Sequence, residues 1–208
     1  MTTHDAPLLP FHDPQSNNFF YFEQEAKSKG YKRIAGLSIE GSKAIAGPLI
    51  AAACILPDKF FLEPLKNPSK LSFSQQQKLY HQMISFPGVS YALAEATPDS
   101  YLKAHSFPLI LQLLEQALSL LSICPDFILL EGLYPPIPGR KVKGIPYGAS
   151  RSYSLAYSSF LAKITRNAIM DGHDAKWPQY RFSTHKGYPT PLHRLLLKEW
   201  GCSPIHHP

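Results

Sequence analysis

The chain has 208 residues, 44% hydrophobic and 17% charged, which suits one well-buried domain and excludes an intrinsically disordered protein. No apolar run approaches a membrane span, and Met1-Thr2-Thr3-His4-Asp5 lacks the basic start and apolar stretch of a signal peptide. A formal net charge of +6 favours anionic partners, of which nucleic acid is the commonest.

In chain order, residues 1–18 are rich in Pro, His, Asp and Asn and are expected to form an extended arm, with residues 19–208 as one domain. Phe19–Lys29 reads as a short helix whose aromatic start (Phe19, Phe20, Tyr21, Phe22) packs on the body rather than serving as a base-stacking platform. Arg33–Ile39 and Pro48–Leu56 read as strands, being apolar and β-branched between turn signals. Pro57–Ser72 holds three prolines and reads as a loop, with Ser72 capping a helix over Phe73–Ile84. Val89–Ala96 is a third strand.

Pro108 opens the clearest helix, where Ile110, Leu113, Leu114, Ala117, Leu118 and Leu121 form one apolar stripe. Asp126–Leu130 is a short buried strand ending at Glu131-Gly132. A loop over Leu133–Pro138 and a strand over Val142–Tyr147 follow. Ser150 is expected to cap a helix reaching about Met170, with Leu155, Ala162 and Ile169 on one side. Thr190-Pro191 starts a final helix to Trp200, stopped by Gly201. Strands first, then strands alternating with helices, predict a mixed α/β sheet. The three cysteines, Cys54, Cys124 and Cys202, have no metal-ligand spacing, which fits a reduced, cytoplasmic chain.

Arg33–Leu56 reads RIAGLSIEGSKAIAGPLIAAACIL. It resembles the opening strands of ribonuclease HII (type-2 ribonuclease H), worded IAG-[hydrophobic]-DEAGRGPLAGPVVAAAVIL. Asn67–Ser72 (NPSKLS) resembles that family's DSKKLS loop, and Ser154–Arg166 (SLAYSSFLAKITR) its SIAAASILAKVTR helix. Trp177–Thr190 (WPQYRFSTHKGYPT) resembles YPGYGFAKHKGYGT, and Gly201–His206 (GCSPIH) the closing GPSPIH. The resemblance implies a ribonuclease H-like fold: a mixed five-stranded sheet flanked by helices, with a C-terminal helical extension.

It also implies an ancestral activity, cleavage of a strand at a ribonucleotide within a duplex by two divalent ions held on four carboxylates. Mg²⁺ requires hard anionic oxygens, and two neighbouring ions need several charges to offset their repulsion. The four positions fall here on Ser38, Ile39, Glu131 and Ala149, so one carboxylate survives. The chain is therefore expected to be catalytically crippled and to need no cofactor. Were Glu40, about 7 Å along the same strand face from Ser38, to join Glu131, the pair could hold one Mg²⁺ or Mn²⁺ and retain metal-dependent endonuclease activity. The nucleic-acid contacts implied by the resemblance fall on Gly41, Lys43, Lys163, Arg166, Lys186 and Tyr188, with RNA/DNA hybrid or ribonucleotide-containing duplex as partner. A monomer is expected, with no membrane association. A third possibility is a protein-interaction module keeping only the fold. The histidines (His185, His193, His206, His207) are not expected to hold zinc. No GxSxG elbow activates Ser38, Ser42 or Ser150.

Overall fold

One strand, β2 (Leu49–Ile55), is buried along its whole length, and the sheet is built around it. The computed structural model describes residues 19–60, 71–98, 100, 107–132 and 137–207. The expected arm, most of the 57–72 loop and most of the 133–138 loop lie outside these. β1 (Ile34–Glu40) and β3 (Ser90–Ala96) pair antiparallel to β2. On the other side of β1, β4 (Phe127–Glu131) pairs parallel to it, and β5 (Val142–Ile145) pairs parallel to β4. The order is β3-β2-β1-β4-β5, the mixed five-stranded sheet expected from the sequence.

Alternation along β2 divides its side chains between two helical layers. Ala51 and Ala53 meet α3 (Phe107–Ser119) through Leu113, Leu114, Ala117 and Leu118. Ile50, Ala52 and Cys54 meet α4 (Tyr153–Lys176) through Ala156, Tyr157, Phe160 and Leu161. Alanines on both faces let the helices approach closely. Two further helices precede these, α1 (Tyr21–Ser28) and α2 (Phe73–Ile84), the latter closed by a capping box between Ser72 and Gln75. The C-terminal extension is α5 (Phe182–His185) and α6 (Pro191–Trp200), with Thr190 as the expected cap of α6. No described helix is long and apolar enough to cross a membrane.

The start of α4 is fixed by backbone proximity. A Cβ on Gly36 would lie 2.2 Å from the carbonyl carbon of Ser154, so only glycine lets β1 pass beneath the helix. Ser150 is not the cap. Residues Gly148–Ser150 form a single 3-10 turn, and the cap is Ser152, whose Oγ accepts from the Leu155 N–H at 3.3 Å. Glu23 of α1 draws the cap to that position. Its Oε1 accepts from Ser152 Oγ (2.6 Å), Ser154 N–H (3.0 Å) and Ser154 Oγ (2.7 Å), at the positive end of the helix dipole. The helix also outruns Met170 and ends at Lys176, because Gly172 is tolerated inside it whereas Pro178 forces Trp177 out of helical geometry. The aromatic start packs as expected, with Phe20 stacked on Tyr153 at 4.2 Å and Phe22 buried.

Arg166 departs from its expected role at a nucleic-acid surface. It is fully buried, because α4 turns it inward toward carbonyls of two loops. Its Nε donates to Pro48 O (2.9 Å), Nη2 to Ala46 O (2.8 Å) and Nη1 to Lys186 O (2.6 Å). The guanidinium also lies 5.1 Å over the Tyr188 ring. A single buried cation thus clamps the β1–β2 connection to the 186–188 turn.

That turn is held from behind by three buried histidines whose tautomers follow from their partners. His206 Nδ1 accepts from the Ser203 N–H (2.9 Å), so its Nε2–H donates to His193 Nε2 at 3.0 Å. His193 Nδ1–H then donates to Tyr188 O (2.9 Å). His185 accepts from the Gly187 N–H at Nδ1 (3.2 Å), donates to Tyr180 O (2.8 Å), and stacks on His193 at 4.0 Å. His207 turns away from His206 and meets Gly47 O at 2.7 Å. The chain of bonds works only with neutral rings. Burial lowers the pKa of all three, that of His206 to about 4 with further depression from His193.

Replacing Arg166 by Met should leave three buried carbonyls without donors, at roughly 1–3 kcal/mol each. Urea unfolding should show a loss of about 3 kcal/mol or more; an unchanged midpoint would refute the clamp. Stability should also fall on acidification. The unfolded His206 takes up a proton near its ordinary 6.5 while the folded ring resists to about 4, so the contribution is complete above pH 6.5 and is lost as pH falls toward 4. The loss attributable to His206 is about 3 kcal/mol at most, and a His206→Asn variant should show a shallower decline between pH 7 and 4.5.

Candidate nucleic-acid site

The site sits where β1 and β4 end side by side. Their last paired residues are Leu37 and Leu130, so the next positions are Ser38 and Glu131. Alternation puts both, with Glu40, on the sheet face that meets α4. The sequence reading placed Glu40 on the same strand face as Ser38, and the strand does continue to Glu40.

Each lost carboxylate position has a different fate. Ser38 is buried, and its Oγ lies 2.8 Å from Ser158 Oγ on α4. Since Ser158 donates to Leu155 O at 3.1 Å, Ser38 is the donor of the serine pair. Ile39 points to the opposite face and packs against the cluster beneath α3. Ala149 contributes its backbone, with its N–H donating to Glu131 Oε2 at 2.8 Å. Sequence comparison flagged Ala149 as an empty position and missed this role, because a backbone donor leaves no side-chain signal.

Glu131 is half-buried, and its carboxyl is pushed above the usual range by burial and by the charge of Glu40, against the pull of the Ala149 and Gly148 amides. Glu40 in turn accepts a hydrogen bond from the Tyr188 hydroxyl. Burial foremost, then the Glu40 charge, raises the phenol pKa, so Tyr188 stays a donor. The Tyr188 hydroxyl also meets the Gly41 backbone. Gly41 itself has φ +97, and a Cβ there would lie 2.6 Å from both Arg166 Nε and Pro48 O. The structure therefore gathers Ser38, Glu40, Gly41, Glu131, Tyr188 and the Ala149 amide around one point, with Arg166 beneath.

The expected lysines lie on the segments that build this site. Lys43 is exposed in the turn after Gly41. Lys163 is half-buried on α4, three residues before Arg166. Lys186 adopts a left-handed backbone (φ 50) and pairs through Nζ with Asp171. The residues do not fit a two-ion centre. Two carboxylates face the point, one held by a phenol and the other by the Ala149 amide. Among the described residues no group of three or more His, Cys, Asp and Glu is placed to hold a metal.

No protein-family model matches the chain. Individual relatives do. The chain is 35% identical over 189 residues to ribonuclease HII of Syntrophotalea carbinolica, covering 89% of this chain and 88% of that one. It is 37% identical over 185 residues to ribonuclease HII of Ruminiclostridium cellulolyticum, covering 89% and 72%. Among solved structures, ribonuclease H2 of Pyrococcus horikoshii superposes with a TM-score of 0.71 at 21% identity, over 84% of this chain and 92% of that one. The ribonuclease HII of the Archaeoglobus fulgidus PCNA complex gives 0.71 at 18%, over 85% and 94%. The structural likeness carries the fold, and the sequence identity over nearly nine-tenths of the chain carries descent: the chain belongs to the ribonuclease HII family.

Proposed function

We propose that this chain is a ribonuclease HII-family protein that binds nucleic-acid duplex, either RNA/DNA hybrid or ribonucleotide-containing DNA, without cleaving it efficiently. The observation that carries this reading is the buried Ser38–Ser158 hydrogen bond. The first metal-ligand position has become a neutral packing contact between sheet and helix, with neither charge nor solvent access for a hydrated cation. Without the ions, the electrostatic stabilisation of a departing phosphate oxygen is lost, and with it several decades of rate.

Binding is supported by the +6 charge, exposed Lys43, and the intact His185-Lys186-Gly187-Tyr188 turn. Removing three carboxylates also changes what phosphate meets. Each carboxylate about 5 Å from a phosphate would repel it by roughly 3 kcal/mol at an effective dielectric near 20. Here that repulsion is absent at Ser38, Ile39 and Ala149 and remains only from Glu40 and Glu131, so phosphate depends less on a bridging cation. A second reading, a rebuilt endonuclease site, draws on one observation: Glu40 is near enough for its charge to raise the Glu131 pKa. The Tyr188 hydroxyl bonded to Glu40 competes with that use.

Two measurements test the proposal. A labelled duplex with one ribonucleotide should remain uncut with Mg²⁺ or Mn²⁺, in the wild type and in Glu131→Gln alike; cleavage abolished by Glu131→Gln would establish the rebuilt site instead. In fluorescence anisotropy the same duplex should bind in EDTA at least as tightly as in a few millimolar Mg²⁺. With about three phosphate contacts, affinity should fall roughly 40-fold between 50 and 200 mM salt. Binding that requires Mg²⁺ would contradict the cation-free approach.

A further inference from the structure

Two residues beyond β5 the chain places a large aromatic where the fold gains nothing from it. Tyr147 is 84% exposed, so it buries almost no apolar surface. Its backbone is left-handed, at φ 54 and ψ 36, a region that side chains other than glycine rarely occupy. The conformation has a purpose: it turns the chain so that the amides of Gly148 and Ala149 meet the Glu131 carboxyl. Glycine would serve that purpose without strain. Strain and solvent exposure at one residue mark a position kept for something outside the fold.

Its location narrows the partner. Tyr147 lies at the carboxyl ends of the parallel strands β4 and β5, the edge where open α/β sheets bind ligands. The two residues that follow it, Gly148 and Ala149, present their amides to Glu131. Arg151 supplies positive charge in the same loop, its guanidinium donating to Pro146 O at 3.4 Å and lying 5.1 Å over the Phe22 ring. An exposed aromatic face beside a fixed cation suits a planar base with its phosphate. Within a paired duplex, base faces are covered by their neighbours. They are open only at a gap, an overhang or a distorted step.

We propose that Tyr147 stacks on an unpaired base of nucleic acid bound at this site, so that a gapped or overhanging duplex is preferred over a fully paired one. This inference rests on the duplex-binding reading above. Anisotropy should compare a blunt ribonucleotide-containing duplex with the same duplex carrying a three-nucleotide gap, using the full chain. Tyr147→Ala should weaken binding to the gapped duplex about 5- to 30-fold and leave the blunt duplex within about twofold. Tyr147→Phe should retain the preference. Because Tyr147 is exposed, both variants should fold, and Tyr147→Gly, with its backbone relaxed, should melt no lower than wild type while sharing the binding loss of Tyr147→Ala. Equal weakening on both duplexes, or none, would overturn the inference and leave duplex binding intact. Failure of the wild type to bind either duplex would overturn both.

Discussion

The buried guanidinium of Arg166 is the constraint on which this site depends. It satisfies carbonyls from the β1–β2 connection and from the 186–188 turn, segments about 140 positions apart in sequence. An ion taken fully out of water is unfavourable unless acceptors surround it. Here three carbonyls and the face of Tyr188 do so, and in return the ion fixes their separation. The distance between Gly41 and Tyr188, and hence the bond from Tyr188 to Glu40, follows from that clamp. The histidine chain backs it from the other side by anchoring the Tyr188 carbonyl to the C-terminal Ser203–His206 segment.

Around this frame, the three positions where the resemblance implies a carboxylate that this chain lacks are occupied in three physically distinct ways. Serine at 38 makes a buried hydrogen bond to α4, which stabilises packing between sheet and helix. Isoleucine at 39 gives its position to the opposite core layer. Alanine at 149 leaves a backbone amide as donor to the remaining carboxylate. These changes do not leave a ruined site full of unsatisfied groups. Each of the three positions makes a contact that the fold uses, and Glu131 is held by the Ala149 and Gly148 amides.

The same substitutions alter the electrostatics facing a nucleic acid. An active centre rich in carboxylates repels phosphate and relies on cations to bring it in. On the proposed reading, a centre reduced to Glu40 and Glu131 repels phosphate less. In the proposed function, loss of catalysis and cation-independent binding are consequences of one charge change rather than separate adaptations.

Much of this was legible in the residues. Apolar periodicity placed all five strands to within a residue or two, and the principal helices too apart from the six-residue overrun of α4 past Met170, because burial on one or both faces leaves a repeating mark in the sequence. The family resemblance implied four ligand positions, of which only Glu131 is a carboxylate here. What the sequence could not convey was direction. Lys163 and Arg166 lie on the same helix as neighbouring basic residues, yet Arg166 is buried, because carbonyls brought from remote segments await it. Ser152 rather than Ser150 caps α4 because Glu23, about 130 positions earlier, is there to receive it. The amide of Ala149 and the strained, exposed Tyr147 have no signature in residue type at all. Local pattern determines which segments form elements; only tertiary structure decides which polar groups meet, since a hydrogen bond depends on the positions of two atoms that the chain may bring together from any distance.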